Sequence, residues 1–191
     1  MSMPMPKHEF TYADYLSWPE GERVEIIEGE AVAVSPAPSR QHQRILGELH
    51  AAFHQYLKGK TCDVYMAPFD VRLPKGSEKD DDIRTVVQPD LTVVCDRGKL
   101  DDKGCKGSPD LVVEIVSPSS FRHDVLTKLR LYEKAGVREY WIVYPGEKAV
   151  LVYKLNAGGK YGEIEPYAAE DTLKVGIFDD LDIHLETVFA E

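Results

Sequence analysis

The chain is poor in features that would brace it from outside a core or carry it into a membrane. Only three of its 191 residues are cysteine, Cys62, Cys95 and Cys105. The odd number and the missing C-x-x-C spacing argue against a disulfide framework and a zinc site, and predict reduced thiols. No run reaches the roughly 18 apolar residues of a membrane helix, and residues 1–10 lack the apolar stretch of a signal peptide. A cytoplasmic protein without membrane contact is expected. Basic charge is scarce, with 23 Lys and Arg against 33 Asp and Glu, a net −10. That argues against a nucleic-acid coat protein with a basic face. A nuclease stays open, because a bound divalent metal inverts the field of an acidic site. The absence of a G-x-G-x-x-G after a strand and of a G-x-x-x-x-G-K-[ST] loop argues against dinucleotide and P-loop folds.

What is present is ordinary globular material, 43% hydrophobic, long enough to bury a core unaided. Residues 1–9 read as a flexible start and 10–191 as a single domain. Thr11 caps a short helix over 11–16. Residues 24–27 and 31–34 form a hairpin turning at Glu28-Gly29. After the Pro-rich link 35–38, Ser39 caps a helix to about Leu57, with Ile45, Leu49, Ala52, Phe53 and Tyr56 at helical spacing. Strands are expected at 63–66, 70–73, 91–95 and 111–116, with the acidic stretch 75–82 a solvated loop. Ser119 or Ser120 then caps a helix to Ala135, closed by Gly136. A second hairpin, 140–143 with 150–153, turns at Pro145-Gly146. Alternation at Leu181, Ile183 and Leu185 predicts a last strand. The order indicates an α/β or α+β domain with a mixed sheet and helices packed on it.

The chemistry concentrates between Pro89 and Tyr144. Glu114 interrupts the apolar run Leu111-Val112-Val113-Glu114-Ile115-Val116. A carboxylate there costs several kcal/mol unless it is paired or binds metal. If strands 91–95 and 111–116 form an antiparallel pair, Asp90 falls beside Glu114. Asp110 lies four residues, about 13 Å, from Glu114 along its own strand and is too distant to share an ion. It more naturally satisfies turn groups, with a supporting role open. Lys128 sits between Val125 and Tyr132 on the apolar face of the following helix. A helix lysine is ordinarily solvated, but this position faces inward. It lies about 12 Å back along a helix that folds over its strand, so its ammonium can reach Glu114. Two carboxylates and a lysine suit a metal-dependent phosphodiesterase: Mg²⁺ on the carboxylates, a metal-bound water, and the lysine at the developing charge. Glu25 sits in a strand between apolar neighbours. His42, on the apolar side of its helix, reads first as a satisfied core histidine and second as a phosphate contact. His50 and His54 lack the Glu of an H-E-x-x-H zinc helix and read as surface or interface residues. Ser117 and Ser119 read as turn or capping residues, with phosphate contact second.

Pro89-Asp90, the run Pro109-Asp110 through Ser119, then Asp124, Lys128, Tyr132, Gly136 and Tyr140-Trp141-Ile142-Val143 resemble the Uma-type family of restriction endonucleases, within the PD-(D/E)xK nuclease superfamily. Glu25-Ile26-Ile27-Glu28-Gly29-Glu30 and His42-Gln43 resemble its N-terminal pattern. The resemblance runs from about Phe10 to Leu185. It implies a restriction-endonuclease-like mixed β-sheet flanked by helices, with additional N-terminal and C-terminal strands. It also implies an Mg²⁺-dependent endonuclease, with Mn²⁺ as a substitute and DNA as substrate. Asp90 and Glu114 would be metal ligands, Lys128 a catalytic residue, and Glu25, His42 and Asp110 possible additions. Cleavage of a duplex implies a possible homodimer. One departure stands out. Val116 occupies the place of the motif lysine, two residues after the acid, and Lys128 would replace it. A nuclease-like binding module without catalysis, or a hydrolase of other phosphoesters, is the alternative.

Overall fold

Thr11 and Asp14 begin the fold with a reciprocal cap. The Thr11 hydroxyl accepts from the Asp14 amide and the Asp14 carboxylate accepts from the Thr11 amide, which satisfies two free donors of α1, Tyr12–Tyr15. The computed structural model describes residues 9–19, 24–33, 38–116 and 123–190. The expected flexible start (bar Glu9), most of the Pro-rich link, the proposed cap at Ser119 or Ser120, Ser117 and Phe121 therefore lie outside the described residues.

The first hairpin is β1 (Val24–Ile27) with β2 (Glu30–Ala33), turning through Glu28 and Gly29, both at positive φ. Ser39 then caps α2, Arg40–Leu57, by accepting from the His42 amide. Its buried Ile45, Leu49, Phe53 and Leu57 follow the helical period, each contributing about 1.5–3 kcal/mol of burial. There follow β3 (Asp63–Met66), β4 (Val71–Arg72), β5 (Val86–Val87), β6 (Leu91–Val94), β7 (Leu100–Asp101), β8 (Gly104–Lys106) and β9 (Leu111–Ile115). A π-helical turn, His123–Lys128, leads into α3, Leu129–Ala135. Gly136 ends α3 in the left-handed region at φ 86°, a conformation that favours glycine. Last come β10 (Glu139–Tyr144), β11 (Ala149–Lys154), β12 (Glu165–Ala168), β13 (Thr172–Lys174), β14 (Asp182–His184) and α4 (Leu185–Phe189).

Among the described residues the strands form two mixed six-stranded sheets and one hairpin, so the strands expected beside the mixed sheet include a second sheet. The first sheet runs β12-β11-β10-β9-β6-β3, and only β9 and β10 are parallel. The second runs β2-β1-β5-β4-β8-β7, and only β4 and β8 are parallel. The fold class is therefore mixed α+β, as expected. β6 and β9 are buried throughout because both faces of their sheet are covered, which is why they read as continuous apolar runs. On one face α2 packs with Leu91, Val93, Leu111, Val113 and Trp141. On the other, Val112, Val116, Tyr140 and Ile142 meet Leu131 and Tyr132 of α3 and Ile27, Val71 and Val87 of the second sheet. Glu114 shares that second face with Val112 and Val116 by strand alternation.

Three expectations are corrected. Cys62 and Cys95 are joined by a disulfide. They follow directly from the Asp63↔Val94 register of β3 and β6, so neighbouring strands pair two cysteines whatever the total. Cys105 alone is free and buried. The alternation at 181–185 is a strand only through His184, because Leu185 turns into α4 and buries with Val188 and Phe189. The acidic stretch 75–82 is not simply a solvated loop. Asp80 begins a short 3-10 turn and binds the buried Arg72 through both oxygens, at 2.7 and 2.8 Å. No helix among the described residues is long and apolar enough to cross a membrane.

Candidate active site

The ladder between β6 and β9 builds the first part of the site. It is antiparallel, with Leu91↔Val113 and Val93↔Leu111, so Asp90 continues it opposite Glu114. The Asp90 carboxylate is fixed there by the amide of Ile115, which donates to Oδ2 at 2.7 Å. Its other oxygen, Oδ1, lies 3.1 Å from Nε2 of His42.

Glu25 on β1 and Lys128 reach the same region from elsewhere in the chain. Lys128 Nζ lies 2.9 Å from Glu114 Oε1 and 3.0 Å from Glu25 Oε1. Glu25 is 2% exposed, and Glu114 and Lys128 are each 4% exposed, so three charges share a volume that water hardly enters. Each such ion costs several kcal/mol to bury, and close pairing must offset it. Neutral donors assist. The Gln88 amide donates to Glu25 Oε1 at 2.8 Å, and the Tyr132 hydroxyl to Glu114 Oε1 at 2.7 Å. Burial first, and then the charges of Glu114 and Glu25, push the Tyr132 phenol well above its ordinary value, so Tyr132 stays a donor.

The structure thus brings together Glu25, Glu114 and Lys128, with Asp90 across the ladder and His42 upon Asp90. The lysine that faces inward from its helix does reach the carboxylate, at the end of a π-helical turn, a feature that recurs at functional positions. Asp110 is elsewhere. Its oxygens take the Cys95 amide at 2.8 Å and pair with Arg138 at 3.1 Å, as expected for a residue satisfying turn groups. His42 is not a satisfied core histidine. Its Nδ1 is buried without a hydrogen-bond partner among the described residues, because its ring is turned to put Nε2 on Asp90. His50 and His54 stack at 5.6 Å on α2, away from any third ligand. Sequence reading passed over the Tyr132 hydroxyl and the Gln88 amide. Tyr132 lies four residues after Lys128 and so on the same helix face, which is a usable signal. A backbone donor such as Gln88 leaves none.

In metal-binding terms, no three His, Cys, Asp or Glu side chains among the described residues converge as a cage. Asp90 and Glu114 are two hard oxygen donors on adjacent strands. That set matches Mg²⁺ or Mn²⁺, which take one or two carboxylates and complete their shell with water and substrate phosphate.

Residues 12–186 match the Uma2 family, described as "Putative restriction endonuclease". A curated relative, the uncharacterized protein slr1290 of Synechocystis sp., is 27% identical over 177 residues, covering 91% of this chain and 87% of its own. Among solved structures, a putative nuclease belonging to DUF820 from Anabaena variabilis superposes with a TM-score of 0.75 at 21% identity, covering 95% of this chain and 98% of that one. The likeness to this last protein establishes the fold.

Proposed function

The chain belongs to the Uma2 family of putative restriction endonucleases, and we propose that it is a divalent-metal-dependent DNA endonuclease hydrolysing phosphodiester bonds with an activated water. One observation carries the reading: a buried lysine held between two buried carboxylates, with a third carboxylate across the strand ladder. Asp90 and Glu114 would hold Mg²⁺, or Mn²⁺ in its place. When bound, the ion lowers the pKa of a water and neutralises charge at phosphorus. Lys128 orients that water or meets the developing charge with its ammonium. Glu25 and Tyr132 keep Lys128 and Glu114 aligned, and His42 fixes the rotamer of Asp90. Residues 10–191 act as one domain in this reading, and a homodimer would present two sites to one duplex.

Supercoiled plasmid with Mg²⁺ or Mn²⁺ tests it. Wild type should nick or linearise DNA, and Asp90→Ala and Glu114→Ala should each lose at least about a hundredfold in rate. Absence of cleavage with every divalent metal, or alanine variants that cut at the wild-type rate, overturns the proposal. Val116 in the place of the motif lysine, buried at 5% exposure, favours a second reading, a binding module without catalysis. Calorimetry with Mn²⁺ separates the two. The nuclease binds the ion and loses it in Asp90→Ala, whereas the module is indifferent.

A further inference from the structure

Beside the carboxylate site lies a cavity of about 530 Å³, lined by Tyr15, Tyr65, Phe69, Asp70, Gln88 and Asp102 among others. The size suits a small planar ligand. Its wall is continuous with the site. Gln88, whose amide holds Glu25, turns its side chain to the cavity, where Nε2 donates to Asp70 Oδ1 at 2.8 Å. On the opposite strand the Ala67 amide donates to the Asp90 carbonyl at 3.0 Å. Phe69 follows two residues later, past the bend at Ala67 and Pro68.

Two features define what the cavity accepts. The first is a ring platform. Tyr65 and Phe69 stack with centroids 4.2 Å apart and planes 2° from parallel, and neither is fully buried. The second is an excess of hydrogen-bond acceptors. Tyr15 Oη and Gln88 Nε2 both donate to Asp70 Oδ1, while Asp70 Oδ2 accepts nothing among the described residues. Asp101 and Asp102 also line the cavity against the single cation Lys103. Asp70 is itself held firmly. The Cys105 amide donates to its carbonyl at 2.9 Å, and Gly104, at φ 122°, passes so close that a Cβ there would stand 2.2 Å from that carbonyl oxygen.

Carboxylates repel a phosphate, so the occupant is not the scissile group. A flat, uncharged ring with an amino group satisfies both features. It stacks on the aromatic platform and donates to the free carboxylate oxygen. Adenine, cytosine and guanine each carry an exocyclic amine, whereas thymine carries none. We infer that this cavity is a nucleobase subsite that takes an amino-bearing base, adenine, cytosine or guanine in preference to thymine, from the nucleotide next to the cleaved phosphodiester. The inference rests on the nuclease reading for its biological sense. The cavity's chemistry is testable without cleavage.

Free nucleosides carry no phosphate and need no metal, so they probe the cavity alone. In saturation-transfer difference NMR on the full chain, deoxyadenosine and deoxycytidine should receive transfer to their base protons. Thymidine should receive at least about fivefold less. Tyr65→Leu and Phe69→Leu should each weaken the signal about five- to a hundredfold, the range of one lost stacking contact. Tyr65→Trp should keep it, and Asp70→Asn should erase the preference over thymidine. The inference is overturned by equal transfer to all three nucleosides, by no transfer to any, or by a signal that survives in folded Tyr65→Leu and Phe69→Leu. Transfer to tetramethylammonium with none to the nucleosides overturns it as well and assigns the cavity to organic cations. Plasmid cleavage without nucleoside discrimination sinks the subsite alone, and discrimination without cleavage under any metal sinks the nuclease alone.

Discussion

Two buried cations in this protein are each held by two carboxylates, and they differ in where the carboxylates sit. Arg72 is fully buried, but its partners Asp80 and Asp101 have side chains 27% and 48% exposed. Asp80 also lies 3.8 Å from Lys103 and 3.5 Å from Lys106. Lys128 is equally buried, yet Glu25 and Glu114 have side chains only 3% and 6% exposed, and Asp90 stands across the ladder. The Arg72 cluster is balanced in charge, although Arg72 Nε has no hydrogen-bond partner among the described residues. Arg72 Nη1 donates to both oxygens of Asp80 and Nη2 to Asp101, the carboxylates keep water, and extra lysines balance the charge. Among the described residues, Glu25 and Glu114 both bond the one Lys128 ammonium, a compact point charge that makes no planar fork, and Asp90 across the ladder meets His42 and the Ile115 amide. In the nuclease reading proposed above, a further cation and an anionic substrate would join this cluster.

The sharpest break in this comparison is Lys128→Met. Methionine keeps much of the apolar stem and suits a helix, but it leaves Glu25 and Glu114 buried without their cation. Stability measured in chelator should fall by about 3–5 kcal/mol. Single-turnover cleavage should slow by about 10²–10³. Mn²⁺ or Ca²⁺ should raise the melting temperature of Lys128→Met more than that of wild type, because the freed carboxylates can turn to the ion. An unchanged cleavage rate would remove Lys128 from the chemistry. An unchanged melting temperature in chelator would break the claim that the cluster depends on its one ammonium.

Arg72→Met should behave differently. Asp80 and Asp101 can rehydrate, so the loss is about 1–3 kcal/mol, the range of hydrogen bonds to charged groups, and metal should restore none of it. Cleavage should stay within about twofold of wild type. The pH dependence has a definite sign. The hydrogen bond from Arg72 chiefly holds the Asp101 carboxyl below its usual range. Its folded pKa is thus below the unfolded one, and the stability it adds is present above the unfolded value and lost as pH falls through the folded value. Urea denaturation between pH 2 and 7 should show a shallower acid decline in Arg72→Met. A steeper one would contradict the assignment.

Much of this contrast could be read from the sequence, and for identifiable reasons. Glu114 announced itself because it breaks an apolar run, and Lys128 because it falls on an apolar helix face. Both are violations of burial rules that demand a partner. Asp90 followed from strand geometry once an antiparallel pair was assumed, and the ladder has that register. Arg72 escaped notice because a strand as short as 70–73 shows too little alternation to mark one residue as buried, and its partner Asp80 sat in a stretch that looked solvated. Of the second sheet the β1–β2 hairpin and the strand at β4 were legible, whereas β5, β7 and β8 were not. β5 and β7 are two residues each, too short for alternation to show. The Cys62–Cys95 pairing depends on register between β3 and β6, which cysteine counting does not contain. The handover from β14 to α4 hides in three alternating apolar residues that satisfy either period.

The smallest effect isolates burial as the variable. Lys134 on α3 reaches Glu28 in the β1–β2 turn, Nζ to Oε1 at 2.8 Å. This pair joins the same helical region and the same hairpin as Lys128 and Glu25, with the same residue types. Here the side chains are 66% and 51% exposed. Water solvates both partners and screens the attraction, so Lys134→Ala should cost at most about 1 kcal/mol. The hydrogen bond from Lys134, and then the charge of Lys75, hold the Glu28 carboxyl below its usual value. The contribution is therefore present at neutral pH and lost as acid protonates Glu28. Urea denaturation at pH 7 in 20 mM and 500 mM salt gives the comparison. The Lys134→Ala cost should shrink at high salt, while the Lys128→Met cost should hardly move, since a buried pair is screened far less than an exposed one. If both costs respond alike to salt, Lys128 is not shielded from solvent, and its contrast with the exposed pair disappears.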